Sequence, residues 1–136
     1  MIPFQVTRED LLRGKTITPG WYVLLITNVT KGEAATDGSM TVKVEHKVSQ
    51  DGPYKDVPVN RTFSEKAPGF AISFIESVMH KKIDTDKGGT FDLSQSVGRK
   101  VWGYVNNEMF GGRLVNRVAD YKAYEEGQMA PSVTPA

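Results

Sequence analysis

Apolar positions follow two rhythms along this chain. In "MTVKVEHKV", residues 40–48, they alternate: Met40, Val42, Val44, His46 and Val48 fall on one face, and Thr41, Lys43, Glu45 and Lys47 on the other. That period of two predicts a strand with one wet face. The run "WYVLLITNVT" is rich in β-branched and aromatic residues and predicts a long buried strand over 21–31, opened by Pro19-Gly20. "VPVNRTF" predicts a third strand at 57–63, where Pro58 suits an edge or a bulge. The rhythm then changes. From about Pro68 to His80, Phe70, Ile72, Phe74, Ile75, Val78 and Met79 give the wide apolar stripe of a helix. Two further strands, 99–107 and 113–119, are joined by "EMFGG", whose glycines permit a tight hairpin.

Polar segments mark the ends. Thr7 followed by Glu9 and Asp10, with Gly14 as a stop, predicts a short helix over 8–13. "KGEAATDGS" and "SQDGPYKD" read as loop and turn, and from Ala123 the chain becomes small, polar and proline-containing, as in a flexible tail. This divides the chain into an N-terminal extension with a short helix (1–19), a barrel domain (20–121) and a tail (122–136). The order β-β-β-α-β-β in an otherwise all-β chain with one helix is that of an OB-fold-like five-stranded barrel. Closure would remove the exposed edges of five short strands. Another small barrel or a sandwich would share this order of elements.

Composition narrows the chemistry. A chain of 136 residues, 39% hydrophobic, suffices for one core. No cysteine is present, which removes disulfides, thiolate zinc sites and a cysteine nucleophile, and two histidines do not make a multi-histidine metal site. The start lacks a signal peptide's basic and apolar regions, and no apolar run reaches a membrane span, so a soluble, intracellular protein without membrane contact is expected. Residues 120–136 carry a net charge of −2, leaving +3 for residues 1–119. A mildly basic body permits a nucleic-acid surface.

Catalytic signatures are absent: no dinucleotide or phosphate-loop glycine pattern occurs, and neither His46 nor His80 stands beside a nucleophile. His46 reads as a satisfied histidine inside or at the end of the barrel, and His80 as a charge at a helix end. "DTDKGGTFDLSQ" places Asp84, Asp86 and Asp92 at calcium-loop positions, but its sixth position is followed by no bidentate glutamate, because Gln95 stands twelfth. A solvated turn is the better reading. The carboxylates of the first half lie in loops or on a wet face and imply no nuclease. No catalytic residue, metal site or cofactor is therefore expected.

The remaining signal is aromatic and basic. In "KVWGYVNNEMFGGRLVNRV", Val101, Gly103 and Val105 suit the barrel interior, which leaves Trp102 and Tyr104 either exposed or covered by another segment. Lys43, Lys47, Arg61, Arg113 and Arg117 lie on or beside predicted strands, interleaved with Tyr54, Phe63 and Phe110. Cations tracking phosphates and rings stacking under bases are what single-stranded nucleic acid needs. Phe110, at a hairpin tip, and Tyr54, in a turn, are the most exposed by position. The competing reading is a structural, assembly or adaptor protein whose aromatics anchor protein neighbours.

"PGWYVLLI", "DGPYKDVPVNRTFSEKAPGF" and "VGRKVWGYVNNEMFGGRLVNRVADY" resemble small bacteriophage and prophage proteins encoded among replication and recombination genes, over roughly residues 3–121. The shared marks are a Pro-Gly-aromatic entry to the first strand, Phe-x-x-Lys before the helix, and a Gly-Arg-x-x-Asn closing hairpin. The resemblance implies an OB-fold, non-enzymatic single-stranded DNA-binding protein of phage DNA replication or recombination, acting in the cytoplasm of an infected bacterial host. It implies a surface on strands two and three and the closing hairpin: Lys43, Lys47, Arg61, Phe63, Trp102, Tyr104, Phe110 and Arg113. Partners would be single-stranded DNA and replication or recombination proteins, with a homo-oligomer compatible. The chain departs from many such proteins in ending "MAPSVTPA" rather than in an acidic, partner-recruiting tip.

Overall fold

Thr7 opens the first element. Its hydroxyl accepts from the Asp10 amide while the Asp10 carboxylate accepts from the Thr7 amide, a reciprocal cap that starts α1 (Arg8–Arg13). The Thr7 amide, and after it the Thr7 hydroxyl, hold the Asp10 carboxyl below the usual carboxylate range. The computed structural model describes residues 2–32, 38–84, 86 and 88–131. The elements that follow are β1 (Gly20–Lys31), β2 (Thr41–Val48), β3 (Pro58–Ser64), α2 (Gly69–Met79), a 3₁₀ turn at Leu93–Ser96, β4 (Lys100–Phe110) and β5 (Arg113–Ala123).

The strands form one sheet that closes in a ring, in the order β1-β2-β3-β5-β4, with β4 pairing back onto β1. All pairings are antiparallel except β3 with β5, which is parallel and rests on one register pair, Asn60 with Arg117. Register shifts at Thr27 in β1 and at Ala119 in β5 add the local twist that helps a short sheet curl. Gly103 allows the close approach across the ring: a Cβ there would run into the Leu24 side chain and meet Val118 at 3.3 Å.

Alternation sorts the core. Val44, His46 and Val48 of β2, Leu24 and Ile26 of β1, and Val101 and Val105 of β4 are buried inside the ring. Met40, expected inward, lies before β2 and is exposed. Phe74 and Val78 of α2 close one end of the ring over Phe63, His46 and Tyr121. His80 ends α2 in the left-handed region, at φ 57°. Among the described residues no helix is long and apolar enough to cross a membrane.

The closing hairpin is longer than its sequence suggests. β4 runs on to Phe110 and β5 to Ala123, past the expected domain limit at 121. Beyond it, Tyr124 packs edge-on against Trp102 at 5.6 Å, and the Gln128 side chain accepts from the Trp102 indole nitrogen at 3.1 Å. Part of the segment expected as tail thus covers the barrel wall. Residues 132–136 lie outside the described residues.

The N-terminal extension is also fastened. Ile17 is buried, and its amide donates to Asn116 Oδ1 at 3.1 Å while its carbonyl accepts from Asn107 Nδ2 at 3.1 Å. Asn116 Nδ2 donates to the Lys15 carbonyl at 2.8 Å. Tyr54 bonds Thr18 at 2.8 Å, Lys15 Nζ donates to the Pro53 carbonyl at 2.7 Å, and Arg8 pairs with Asp56 at 3.4 Å. These links stand α1 over the outer face of β2 and β3.

Candidate nucleic-acid interface

Standing α1 there creates a cleft of about 900 Å³. Its floor is the outer face of β2 and β3, one wall is α1 with residues 14–16, and the other is the start of β5, Arg113 to Asn116, next to the tip of the β4–β5 hairpin. Period two decides what the floor presents: Val44, His46 and Val48 turn into the ring, so Lys43, Glu45 and Lys47 turn out. Arg13, Lys15 and Arg113 join the two lysines, giving five cations against Glu9, Glu45 and Asp56. The balance of charge is positive, and Leu12, Pro58, Leu114 and Val115 set apolar surface among the charges.

The lysines are engaged but accessible. Lys43 stands 3.7 Å from Glu45 and Lys47 3.5 Å from Asp56, with more than two-fifths of each lysine side chain in solvent. Exposed pairs of this kind contribute little, roughly 0–1 kcal/mol, so a phosphate can exchange for the carboxylate at low cost. Arg113 makes no ion pair among the described residues, and it sits opposite Phe110 across the hairpin end. The Phe110 ring is 65% exposed.

Beneath the floor lies a neutral histidine. His46 is buried, with Nδ1 2.8 Å from the Val59 carbonyl and Nε2 3.1 Å from the Tyr121 hydroxyl. This pattern makes Nδ1 the protonated nitrogen and Nε2 the acceptor. Burial lowers its pKa from 6.5 to about 4, against a smaller raising effect of the Val59 bond. The imidazole therefore brings no charge to the cleft near neutrality. Burial likewise pushes the Tyr121 hydroxyl well above its ordinary value.

The structure brings Lys43, Lys47 and Arg113 together and sets Phe110 at the hairpin tip near them, while the other expected residues lie elsewhere. Phe63 is a core residue, 5.4 Å from Phe74 and 6.1 Å from Tyr121, and cannot stack on a base. Trp102 is 5% exposed under Tyr124 and Gln128, so it too is no platform. Arg61 shares the inward side of β3 with Val59 and Phe63. It escapes the core by lying 3.9 Å over the Phe70 ring, with Nη1 at 3.4 Å from the Val118 carbonyl. Tyr54 is a strut: besides bonding Thr18, it packs edge-on against Tyr22 at 6.0 Å and takes Lys15 over its ring at 5.6 Å. The Thr18 bonds lower its hydroxyl pKa.

Tyr104 and Arg117 face away from the cleft lining. Tyr104 packs edge-on against its cross-strand partner Trp21 at 5.5 Å, and Lys122 stands 5.4 Å over Trp21. Arg117 pairs with Glu108 at 3.5 Å and lies 5.5 Å from the Phe110 ring, backing that ring from the hairpin side. Sequence reasoning missed Arg13 and Lys15, whose place in the cleft wall depends on long-range bonds from Asn116 and Tyr54. Trp21 lay in a run apolar on both faces, WYVLLI, which gave no sign of which side faces outward. Asp92, one of the calcium-loop candidates, caps the 3₁₀ turn by accepting from the Ser94 amide and hydroxyl.

No protein-family model matches the chain, and no curated protein matches it.

Proposed function

We propose that the protein is a sequence-tolerant single-stranded DNA-binding protein on an OB-fold scaffold. The observation that carries this reading is the basic-lined cleft on the outer face of β2 and β3, beside the start of β5 near the hairpin tip. OB-folds bind oligonucleotides on the face of strands two and three, flanked by the loops that follow strands one and four. The order of elements, with a helix between β3 and β4, and the closed five-strand ring agree with that scaffold.

In this reading the strand lies along the floor with phosphates on Lys43, Lys47, Arg113, Arg13 and Lys15. Phe110, with Arg117 behind it, takes a base at the rim. Electrostatics outweighs stacking here, because the cleft lining holds no phenylalanine, tyrosine or tryptophan. The resemblance to phage replication and recombination proteins supports a role in those processes, with their proteins as further partners. A second reading, a virion structural or assembly protein, draws support from the exposed apolar residues Ile2, Phe4, Met109, Phe110 and Leu114.

The test is fluorescence anisotropy of a labelled thirty-base oligothymidine at low and moderate salt, with an equal-length duplex as control. Micromolar or tighter binding to the single strand, much poorer for duplex, is the expected result. No binding at low salt would overturn the proposal.

A further inference from the structure

The first residues and the β5 edge near the hairpin tip carry matching apolar surfaces. In "IPFQV", residues 2–6, apolar side chains alternate at Ile2, Phe4 and Val6, the pattern of a strand with one apolar face. They pack on nothing described: Ile2 is 96% and Phe4 89% exposed. Leu12 is the hydrophobic residue of α1 that reaches the core, while Leu11 points to solvent. The segment is thus an arm projecting from a helix that is itself tied down by Asp56 and the reciprocal Thr7 cap.

On the hairpin, β5 pairs with β4 along its length, but its other edge meets β3 only at Arg117. Residues Arg113 to Val115 therefore have a strand neighbour on one side alone. Met109 and Leu114 are cross-strand partners beside that edge, and both are more than half exposed. The chain's own extension already runs alongside the next stretch, where Asn116 bonds Lys15 and Ile17. A further extended segment at Arg113–Val115 would continue an interface that exists.

We propose that this edge receives the N-terminal arm of a second copy of the chain. Residues 2–6 would add as a short strand along Arg113–Val115, laying Ile2, Phe4 and Val6 on Met109 and Leu114. Main-chain bonds supply affinity in such additions and alternate side chains supply register. The arm carries no charged side chain between residues 2 and 7, so none is desolvated on docking. Covering three arm and two or three hairpin side chains buries roughly 700 Å² per contact, and a reciprocal exchange about 1,400 Å², within the size range of stable interfaces. Each copy holds one arm and one edge, and when two copies exchange arms reciprocally the assembly closes as a two-fold dimer. Arg113, Leu114 and Val115 also line the cleft, so a docked arm would share that wall with an oligonucleotide; the inference does not rest on DNA binding, and its test contains no DNA.

Sedimentation equilibrium of the full chain tests it, using Phe4→Ser and Leu114→Ser. Both side chains are mainly exposed, so circular dichroism and thermal unfolding should be unchanged. The wild-type chain should be a dimer at micromolar concentration, and each variant should dissociate at least about tenfold more readily. Mixing the two variants should restore part of the association, since the mixed pair keeps one intact arm and one intact edge. A wild-type monomer at a hundred micromolar, variants that dimerise like wild type, or no recovery on mixing would overturn the proposal.

Discussion

Two outer surfaces of the same ring have opposite characters. The face of β2 and β3 carries lysines and carboxylates and leaves a cleft open between α1 and the hairpin. The face of β1, β4 and β5 carries Trp21, Trp102 and Tyr104, and these rings are covered or packed on one another. The aromatic residues of these strands thus went mainly into structure, and the surface left open carries the charges. The comparison teaches that, in this chain, richness in rings and openness to a ligand occur in different places.

The largest effect that sharpens this contrast is on stability. Trp102→Ala removes a buried ring together with its contact to Tyr124 and its bond to Gln128, so it should cost about 3–5 kcal/mol by urea unfolding. Single-strand affinity, measured where the variant remains folded, should be unchanged. A stable variant with weakened binding would return Trp102 to the interface. Phe110→Ala should do the reverse, lowering affinity by up to about 3 kcal/mol for a lost stacking ring while leaving the unfolding midpoint in place.

His46 gives a pH signature of the core below the cleft. Its folded pKa, about 4, lies below the ordinary 6.5, so the unfolded chain takes up the proton first as pH falls. The stability associated with the neutral imidazole is present above pH 6.5 and is lost progressively toward pH 4, about 2 kcal/mol of it by pH 5. Urea titrations at pH 7 and 5 check this, and equal stabilities would contradict the buried neutral histidine. The smallest effect concerns the cleft wall. Tyr54→Phe removes the bond to Thr18 and should cost about 1 kcal/mol, with increased hydrogen exchange in residues 15–18 as its local readout.

How far the sequence revealed this arrangement depended on whether the cause was local. Alternation placed Val44, His46 and Val48 inward and Lys43 and Lys47 outward, because a strand's sidedness is set by its own residues. The same rule, applied to Val57, Val59, Arg61 and Phe63, already pointed Arg61 inward, and its charge misled. The guanidinium is accommodated by Phe70 and the Val118 carbonyl, which come from elsewhere in the chain. Trp102 was undecidable locally because its cover comes from Tyr124 and Gln128. The cleft itself was invisible, since α1 is held over β2 and β3 by Asn107 and Asn116, some ninety to a hundred residues away, and no local pattern encodes that docking.

The central claim is that the open polar cleft, and not the aromatic face, receives the nucleic acid. The most direct measurement is the salt dependence of oligothymidine binding for wild type, for Lys43→Gln with Lys47→Gln, and for Lys122→Gln on the aromatic face. With about 0.7 of a counterion released per phosphate contact, the double substitution should reduce the slope of log affinity against log salt by about 1.4, and Lys122→Gln should leave it unchanged. A slope that responds to Lys122 and ignores the two cleft lysines would contradict the account.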